Sequence, residues 1–285
     1  MRFCRFNDDR VGVVRGDGVV DVSAVLEDMP TYRWPLPHGD QFMAHFDELR
    51  PKMQALAEHG PVLPLASVRL LSPIANPGKI VAAPVNYKLH LDEARTDTAI
   101  HFGNTVKTID EAGVFLKATS SLIGPSQEIV ADWTDRRIDH EVELAVIIGR
   151  KAFRVSEDTA LDYVAGYAIG LDITIRGPEE RSYRKSLDTF SVLGPWVVTS
   201  DELPNPNALA LKLDVDGEPR QDANTALLIF NVQKLIAYAS RAYTLYPGDI
   251  IMTGTPEGVG PILPGNTIHA EIESIGQMTV KVSGA

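Results

Sequence analysis

The stretch Ile138-Asp139-His140-Glu141-Val142-Glu143-Leu144-Ala145-Val146-Ile147 constrains this chain more than any other. Its apolar, β-branched character predicts a strand, in which alternate side chains share a face. Asp139, Glu141 and Glu143 then lie on one face, followed by Ala145 and Ile147. Ile138, His140, Val142, Leu144 and Val146 line the other. A strand that runs on into apolar residues on both faces is expected inside the molecule, and it carries its carboxylates with it. Like charges there are costly unless something neutralises them. At roughly 3.3 Å rise per residue, Glu141 and Glu143 sit about 7 Å apart, close enough to lean toward one cation. A solvated acidic strand face is the plain alternative for a lone Glu-x-Glu.

The chain has 285 residues, enough for two domains or one large one. Its N-terminal part reads as short strands, Arg2–Asn7, Val11–Val14 and Val19–Val22, with a turn at Gly16-Asp17-Gly18. Between Gly39 and Gly60, Phe42, Phe46, Leu49, Met53 and Leu56 recur at helical spacing, and Gly60-Pro61 stops the helix. Pro61, Pro64, Pro73 and Pro77 punctuate the segment after it. Residues 1–68 are therefore expected to form a small N-terminal domain and 69–285 the larger one.

In the larger part, strands are predicted at Lys79–Ala83, Gly113–Lys117, Glu128–Ala131, Ile138–Gly149, Tyr163–Thr174, Ser191–Thr199, Leu211–Val215, Gly248–Gly254 and Thr267–Val282. Asp216-Gly217 marks a hairpin turn. A short helix is expected after a Ser156 N-cap, and the long helical stretch is Thr225–Thr244. Strands outnumber helices without a repeating βαβ pattern, so a β-rich α+β fold is expected. Lys88 to Asp110 stands apart as polar, poor in strand pattern and long for a loop, the character of a lid or binding loop.

Composition narrows the function. With 27 basic and 38 acidic residues the formal charge is −11, which opposes binding to phosphate backbones and suits a protein that gathers carboxylates around a cation. A single cysteine, Cys4, allows neither an internal disulfide nor a cysteine zinc cluster, and a reducing cytoplasm is expected. The sequence holds no apolar run long enough for a membrane span and no secretory h-region at its start.

Three further groups carry chemistry. Asp172 lies in the apolar run Tyr167–Thr174, where a carboxylate needs a partner. That partner is either a shared cation with the two glutamates or an arginine such as Arg176. Three oxygen ligands with water suit Mg²⁺ or Mn²⁺. His90 and Glu93 are i, i+3 neighbours if Val85–Glu93 turns helical, so the carboxylate can orient an imidazole base; a surface pair would look the same. Lys185 ends the basic run Arg181-Ser182-Tyr183-Arg184-Lys185, which either complements an anionic substrate or forms a solvated face. The Gly-rich loop Gly248–Gly260 lacks the ending of a P-loop and permits close backbone approach to a ligand.

Taken in order, these segments resemble the fumarylacetoacetate hydrolase family, over about 79–283. The resemblance rests on Val85-Asn86-Tyr87 with His90 and Glu93, Phe115-Leu116-Lys117 through Gly124-Pro125, and Glu141-Val142-Glu143-Leu144. It continues through Asp172, Lys185 with Asp188-Thr189-Phe190, Leu193-Gly194-Pro195-Trp196, and Gly248-Asp249 through Thr253-Gly254-Thr255-Pro256 and Gly258-Val259-Gly260. It implies a mixed β-sandwich or β-roll catalytic domain with a small N-terminal domain, working as a homodimer. It implies Mg²⁺ or Mn²⁺ on Glu141, Glu143 and Asp172, a catalytic His90–Glu93 dyad on a lid, Lys185 in the site, and Tyr87, Arg176, Gly254 and Thr255 at the substrate. The implied activity is hydrolysis of a C–C bond in a 2,4-dioxo acid such as an acylpyruvate, within aromatic catabolism. Decarboxylation of oxaloacetate or keto–enol isomerisation of a related oxo acid is the alternative on the same metal. The chain departs from the family's pattern at Gly177, where an Asp commonly follows the Arg, in lacking a Gln between there and Lys185, and at Leu228, where many members have Met.

Overall fold

Val142–Ile148 and Val164–Asp172 pair antiparallel through the middle of the protein, Val142 opposite Leu171 and Val146 opposite Tyr167. Every residue of Val142–Ile148 is buried, as a run apolar on both faces requires of a central strand. The computed structural model describes residues 1–103, 105–133 and 135–284. Among these, the central pair belongs to a sheet of twelve strands. On one side of it come Ser191–Thr199, Arg2–Phe6, Arg10–Arg15, Gly18–Asp21 and Val62–Pro64; on the other, Ile250–Met252, Ile80–Ala82 and Phe115–Lys117. The N-terminal strands thus continue the sheet of the larger part, Phe3 standing opposite Val197. Five strands, with Ala210–Val215, Thr267–Ile272 and Gly276–Ser283 at the centre, make a second sheet.

The alternation within Val142–Ile148 divides the core. Val142, Leu144 and Val146 join Leu211, Leu213 and Ile268 of the second sheet and Leu235 and Ile236 of helix Val232–Ala242. Ala145 and Ile147 join Phe46, Leu49 and Met53 of helix Phe46–His59. Each such aliphatic side chain contributes about 1.5–3 kcal/mol by leaving water. The helix expected between Gly39 and Gly60 forms, interrupted at His45 into Gln41–Ala44 and Phe46–His59. Cys4 is buried, and burial pushes its thiol up to about 12, which leaves it unreactive.

Several elements differ from the sequence expectation, among them Thr267–Val282, which is not one strand but the antiparallel pair Thr267–Ile272 and Gly276–Ser283. The polar segment after Lys88 is helical where it was expected as a loop, with helices Lys88–Thr96, Thr98–His101 and Ile109–Ala112; its Asn104 lies outside the described residues. Helix Thr225–Thr244 is really a 3₁₀ turn, Thr225–Leu227, then extended chain, then Val232–Ala242. Asn86 holds that extended stretch: its side chain bonds the Phe230 N–H at 2.7 Å and carbonyl at 2.9 Å, and its own carbonyl accepts from Ile229 at 2.7 Å. Ser156 precedes a 3₁₀ turn, Glu157–Tyr163, and its hydroxyl meets Thr159 Oγ1 at 3.1 Å instead of capping the backbone. Among the described residues no helix is long and apolar enough to cross a membrane.

Candidate active site

The strand expected at Ile138–Gly149 breaks at Glu141. Ile138–His140 belongs to a small sheet with Thr174–Ile175 and Gly260–Pro261, and Val142–Ile148 to the large one. The break is held by a side chain: the Val142 N–H leaves the ladder and donates to Gln221 Oε1 at 3.0 Å. The pairing register is nonetheless the same on both sides, Asp139 with Thr174 and Val142 with Leu171. Glu141 therefore lies opposite Asp172, whose N–H donates to the Glu141 carbonyl at 2.9 Å. Cross-strand partners and residues two apart share a face. Glu141, Glu143 and Asp172 consequently converge, each offering an oxygen within 4.8 Å of the others, all three buried.

Burying three carboxylates costs several kcal/mol per ion unless cations face them. Lys185 Nζ donates to Glu141 Oε2 at 2.6 Å, Asp172 Oδ2 at 2.7 Å and Thr174 Oγ1 at 2.6 Å. Arg176 spans Glu141 Oε1 at 2.8 Å and Asp139 Oδ2 at 2.6 Å. Lys117 donates to Asp172 Oδ1 and to the Phe190 carbonyl. The Gly254 N–H donates to Glu143 Oε2 at 2.7 Å. Burial raises the Glu141 carboxyl, but Lys185 and Arg176, helped by His90, outweigh it and hold the group well below the usual carboxylate range. Glu143 has no such cation in contact; burial, then Asp172, push its pKa well up. Burial lowers Lys117 despite Asp172.

An all-oxygen set of three converging carboxylates, one with no ammonium or guanidinium on it, fits a hard divalent cation. Asp172 is bonded to Lys117 and Lys185 and not to Arg176, so the expected arginine is not its partner and two lysines the sequence reading did not assign to it are.

His90 and Glu93 lie on helix Lys88–Thr96, the i, i+3 spacing bringing His90 Nδ1 to 2.8 Å from Glu93 Oε2. A carboxylate only accepts, so Nδ1 carries a proton, and in the neutral imidazole Nε2 is then the acceptor. The other oxygen, Glu93 Oε1, accepts from the Gly258 N–H at 3.0 Å. Gly258 has φ +88°, and a Cβ there would meet the Arg220 carbonyl at 1.9 Å, so this donor needs glycine. His90, Glu141, Arg176 and Lys185 line one cleft.

The residues expected at the substrate are placed unevenly. Arg176 lines the cleft but is committed to two carboxylates. The Gly254 N–H serves Glu143, and Thr255 Oγ1 accepts from Gln221 at 2.8 Å. Tyr87 is buried, its hydroxyl without a partner among the described residues; burial and the Glu143 charge raise its pKa. Sequence reasoning missed Lys117, Asp139 and Thr174 as site members. Their signal was polarity inside apolar strands, Lys117 being only 3% exposed.

The chain is similar in sequence and fold to known proteins. The family model for the fumarylacetoacetate (FAA) hydrolase C-terminal domain matches residues 79–283. A maleylpyruvate hydrolase of Aquipseudomonas alcaligenes is 52% identical over 284 residues, covering 99% of each chain. A human mitochondrial oxaloacetate tautomerase is 34% identical over 281 residues, covering 94% of this chain and 84% of its own. The crystal structure of maleylpyruvate hydrolase from Sphingobium sp. SYK-6, in complex with manganese(II) and pyruvate, superposes with TM-score 0.85 at 40% identity over 100% of both chains.

Proposed function

The chain belongs to the fumarylacetoacetate hydrolase family, and from that premise we propose that it is a divalent-metal-dependent hydrolase cleaving the C–C bond of an acylpyruvate, of which maleylpyruvate is the leading case. Water is added across the bond, so the products are pyruvate and the carboxylic acid of the acyl group. The observation that carries this reading is His90, paired with Glu93, lining the same cleft as Glu141, with Glu143 and Asp172 beside Glu141.

Glu141, Glu143 and Asp172 would hold the ion, which would supply a Lewis acid to the substrate carbonyls when bound. His90 Nε2 takes a proton from water as the water attacks the distal carbonyl, and Glu93 stabilises the imidazolium that results. Breaking the C–C bond leaves the electron pair on the pyruvate fragment as an enolate, and His90 is placed to return the proton to its carbon. Lys185 and Lys117 supply positive charge beside the carboxylates as negative charge develops. Arg176 acts through the carboxylates it holds, fixing Glu141 against Asp139.

Mg²⁺ and Mn²⁺ both suit the donor set, and the manganese complex of the Sphingobium enzyme supports the second. A homodimer in the cytoplasm belongs to the same proposal and rests on the resemblance and the single reduced cysteine. The division of the chain into a supporting unit, 1–68, and a catalytic one, 69–285, is supported by the fact that every proposed site residue lies between Tyr87 and Thr255.

The similarity to an oxaloacetate tautomerase favours a second reading, enol–keto exchange or decarboxylation of oxaloacetate on the same site. A substrate panel with Mn²⁺ or Mg²⁺ decides. Maleylpyruvate is expected to give equimolar pyruvate and maleate. Interconversion or decarboxylation of oxaloacetate with no acylpyruvate turnover would replace the proposal by the second reading.

A further inference from the structure

The basic run ahead of Lys185 is not absorbed by the chemistry so far. Arg181 and Arg184 belong to the short helix Arg181–Arg184 and line the same cleft as His90 and Glu141. Their charges are uncommitted. Arg181 has no hydrogen-bond or ion-pair partner among the described residues; its guanidinium lies over the Phe115 ring, 5.5 Å from the centroid. Lys185 Nζ approaches that same ring at 5.9 Å, which places Arg181 next to the carboxylate cluster. Arg184 spends one N–H on the Glu179 carbonyl at 2.8 Å. The Glu179 carboxylate is taken by both terminal nitrogens of Arg136, at 2.9 and 2.7 Å, and Glu180 next to Arg181 forms no ion pair with it, so neither acid is bonded to either arginine. A chain with net charge −11 thus presents two unpaired guanidinium groups to one small cleft, beyond the cations that hold the carboxylates.

We propose that Arg181 and Arg184 form a second anion subsite that binds a carboxylate at the far end of the acyl group, making the enzyme selective for dianionic 2,4-dioxo acids. This rests on the acylpyruvate reading and names the substrate class within it. The pyruvoyl head lies on the carboxylate-cluster side with Lys185, and the acyl chain runs across Phe115 toward the arginines. A guanidinium binds a carboxylate through two parallel N–H bonds, a geometry no ammonium reproduces.

The test compares maleylpyruvate with acetylpyruvate, which has no distal carboxylate, in the Mn²⁺-loaded protein, and separately measures maleate binding by calorimetry. Arg181→Met and Arg184→Met keep the apolar stem, and both side chains are partly exposed, so folding is checked simply by an unchanged Tm. The expected result is that Arg181→Met lowers the ratio of kcat/KM for maleylpyruvate over acetylpyruvate by roughly 10- to 100-fold and weakens maleate by a similar factor, with Arg184→Met smaller. Equal loss on both substrates, or no loss of maleate affinity, overturns the subsite. Maleate binding that depends on Arg181 in a protein that turns over neither substrate would uphold the subsite and overturn the hydrolase reading instead.

Discussion

The two halves of the site are built from unlike materials. Glu143 and Asp172 stand on paired strands of the central sheet, joined by seven cross-strand pairs, and Glu141 sits at the break just before the first of them, all three at most 3% exposed. His90 and Glu93 stand on a nine-residue helix whose neighbour Leu89 is 55% exposed. That helix is tied to the body by few polar bonds: Glu93 to the Gly258 N–H, and Asp97, just past its end, to Arg137 at 3.2 Å. Opening free energies range from near zero for such peripheral elements to the global stability for core strands. On the proposed reading, the groups that hold charge are built into the central sheet, while the proposed proton carrier rides on a peripheral helix. If the helix carrying His90 opens and closes as a flap, substrate is expected to enter there without disturbing the carboxylates.

The largest effect is expected on the sheet side. Glu143→Gln keeps the shape and an acceptor for the Gly254 N–H but removes one ligand charge. It should lower turnover by at least about 10³-fold, the scale of several kcal/mol of charge stabilisation by a bound metal. Mn²⁺ affinity should fall with it, while the thermal unfolding midpoint holds or rises because a buried charge is gone. Retained turnover would remove the ion from the chemistry and dissolve the contrast between the two halves.

On the flap side the effects are smaller. Glu93→Gln leaves the imidazole in place but withdraws the charge that supports its cation, so kcat should fall roughly 10- to 100-fold with Mn²⁺ affinity unchanged. A loss of metal binding in this variant would mean the two halves are not separable. The mobility difference has its own readout. Hydrogen exchange in 88–101 should slow when Mn²⁺ and oxalate are added, with 142–148 unchanged; equal protection in both states would show that the flap does not close. The smallest effect is expected for Asp97→Asn, which keeps the cap on Ala99 and loses only the charge facing Arg137. A partly exposed pair of this kind is worth about 0.2–1 kcal/mol, so kcat/KM should change by up to about fivefold while exchange in the flap quickens.

Legibility in the sequence divides along the same line. Strand alternation placed Glu141 and Glu143 on one face, and a helical i, i+3 spacing placed Glu93 at His90, because both are consequences of local geometry. The break at Glu141 was not legible, since its cause is Gln221, a side chain 79 residues away that takes the Val142 N–H. Lys117 looked like the end of a short strand, and only the long-range meeting with Asp172 gives it a place. The helices of the flap were hidden because their buried face amounts to little more than His90, Leu91 and Ala94, too few apolar positions for a periodic signal. Helix Thr225–Thr244 was drawn too long for the opposite reason: its periodicity runs through residues that Asn86 pulls into extended chain.

The division of labour itself is tested most directly by running two reactions on one variant. In His90→Ala, with Mn²⁺ present, acylpyruvate hydrolysis and oxaloacetate decarboxylation are measured side by side against the unaltered protein. Hydrolysis requires water to be activated, so it should fall roughly 10²–10⁴-fold. Loss of CO₂ requires no water nucleophile and draws on the sheet side alone, so any decarboxylase activity of the unaltered protein should fall less than about tenfold. Equal losses in the two reactions would contradict the account, for they would mean that His90 serves substrate binding or flap closure and not the activation of water.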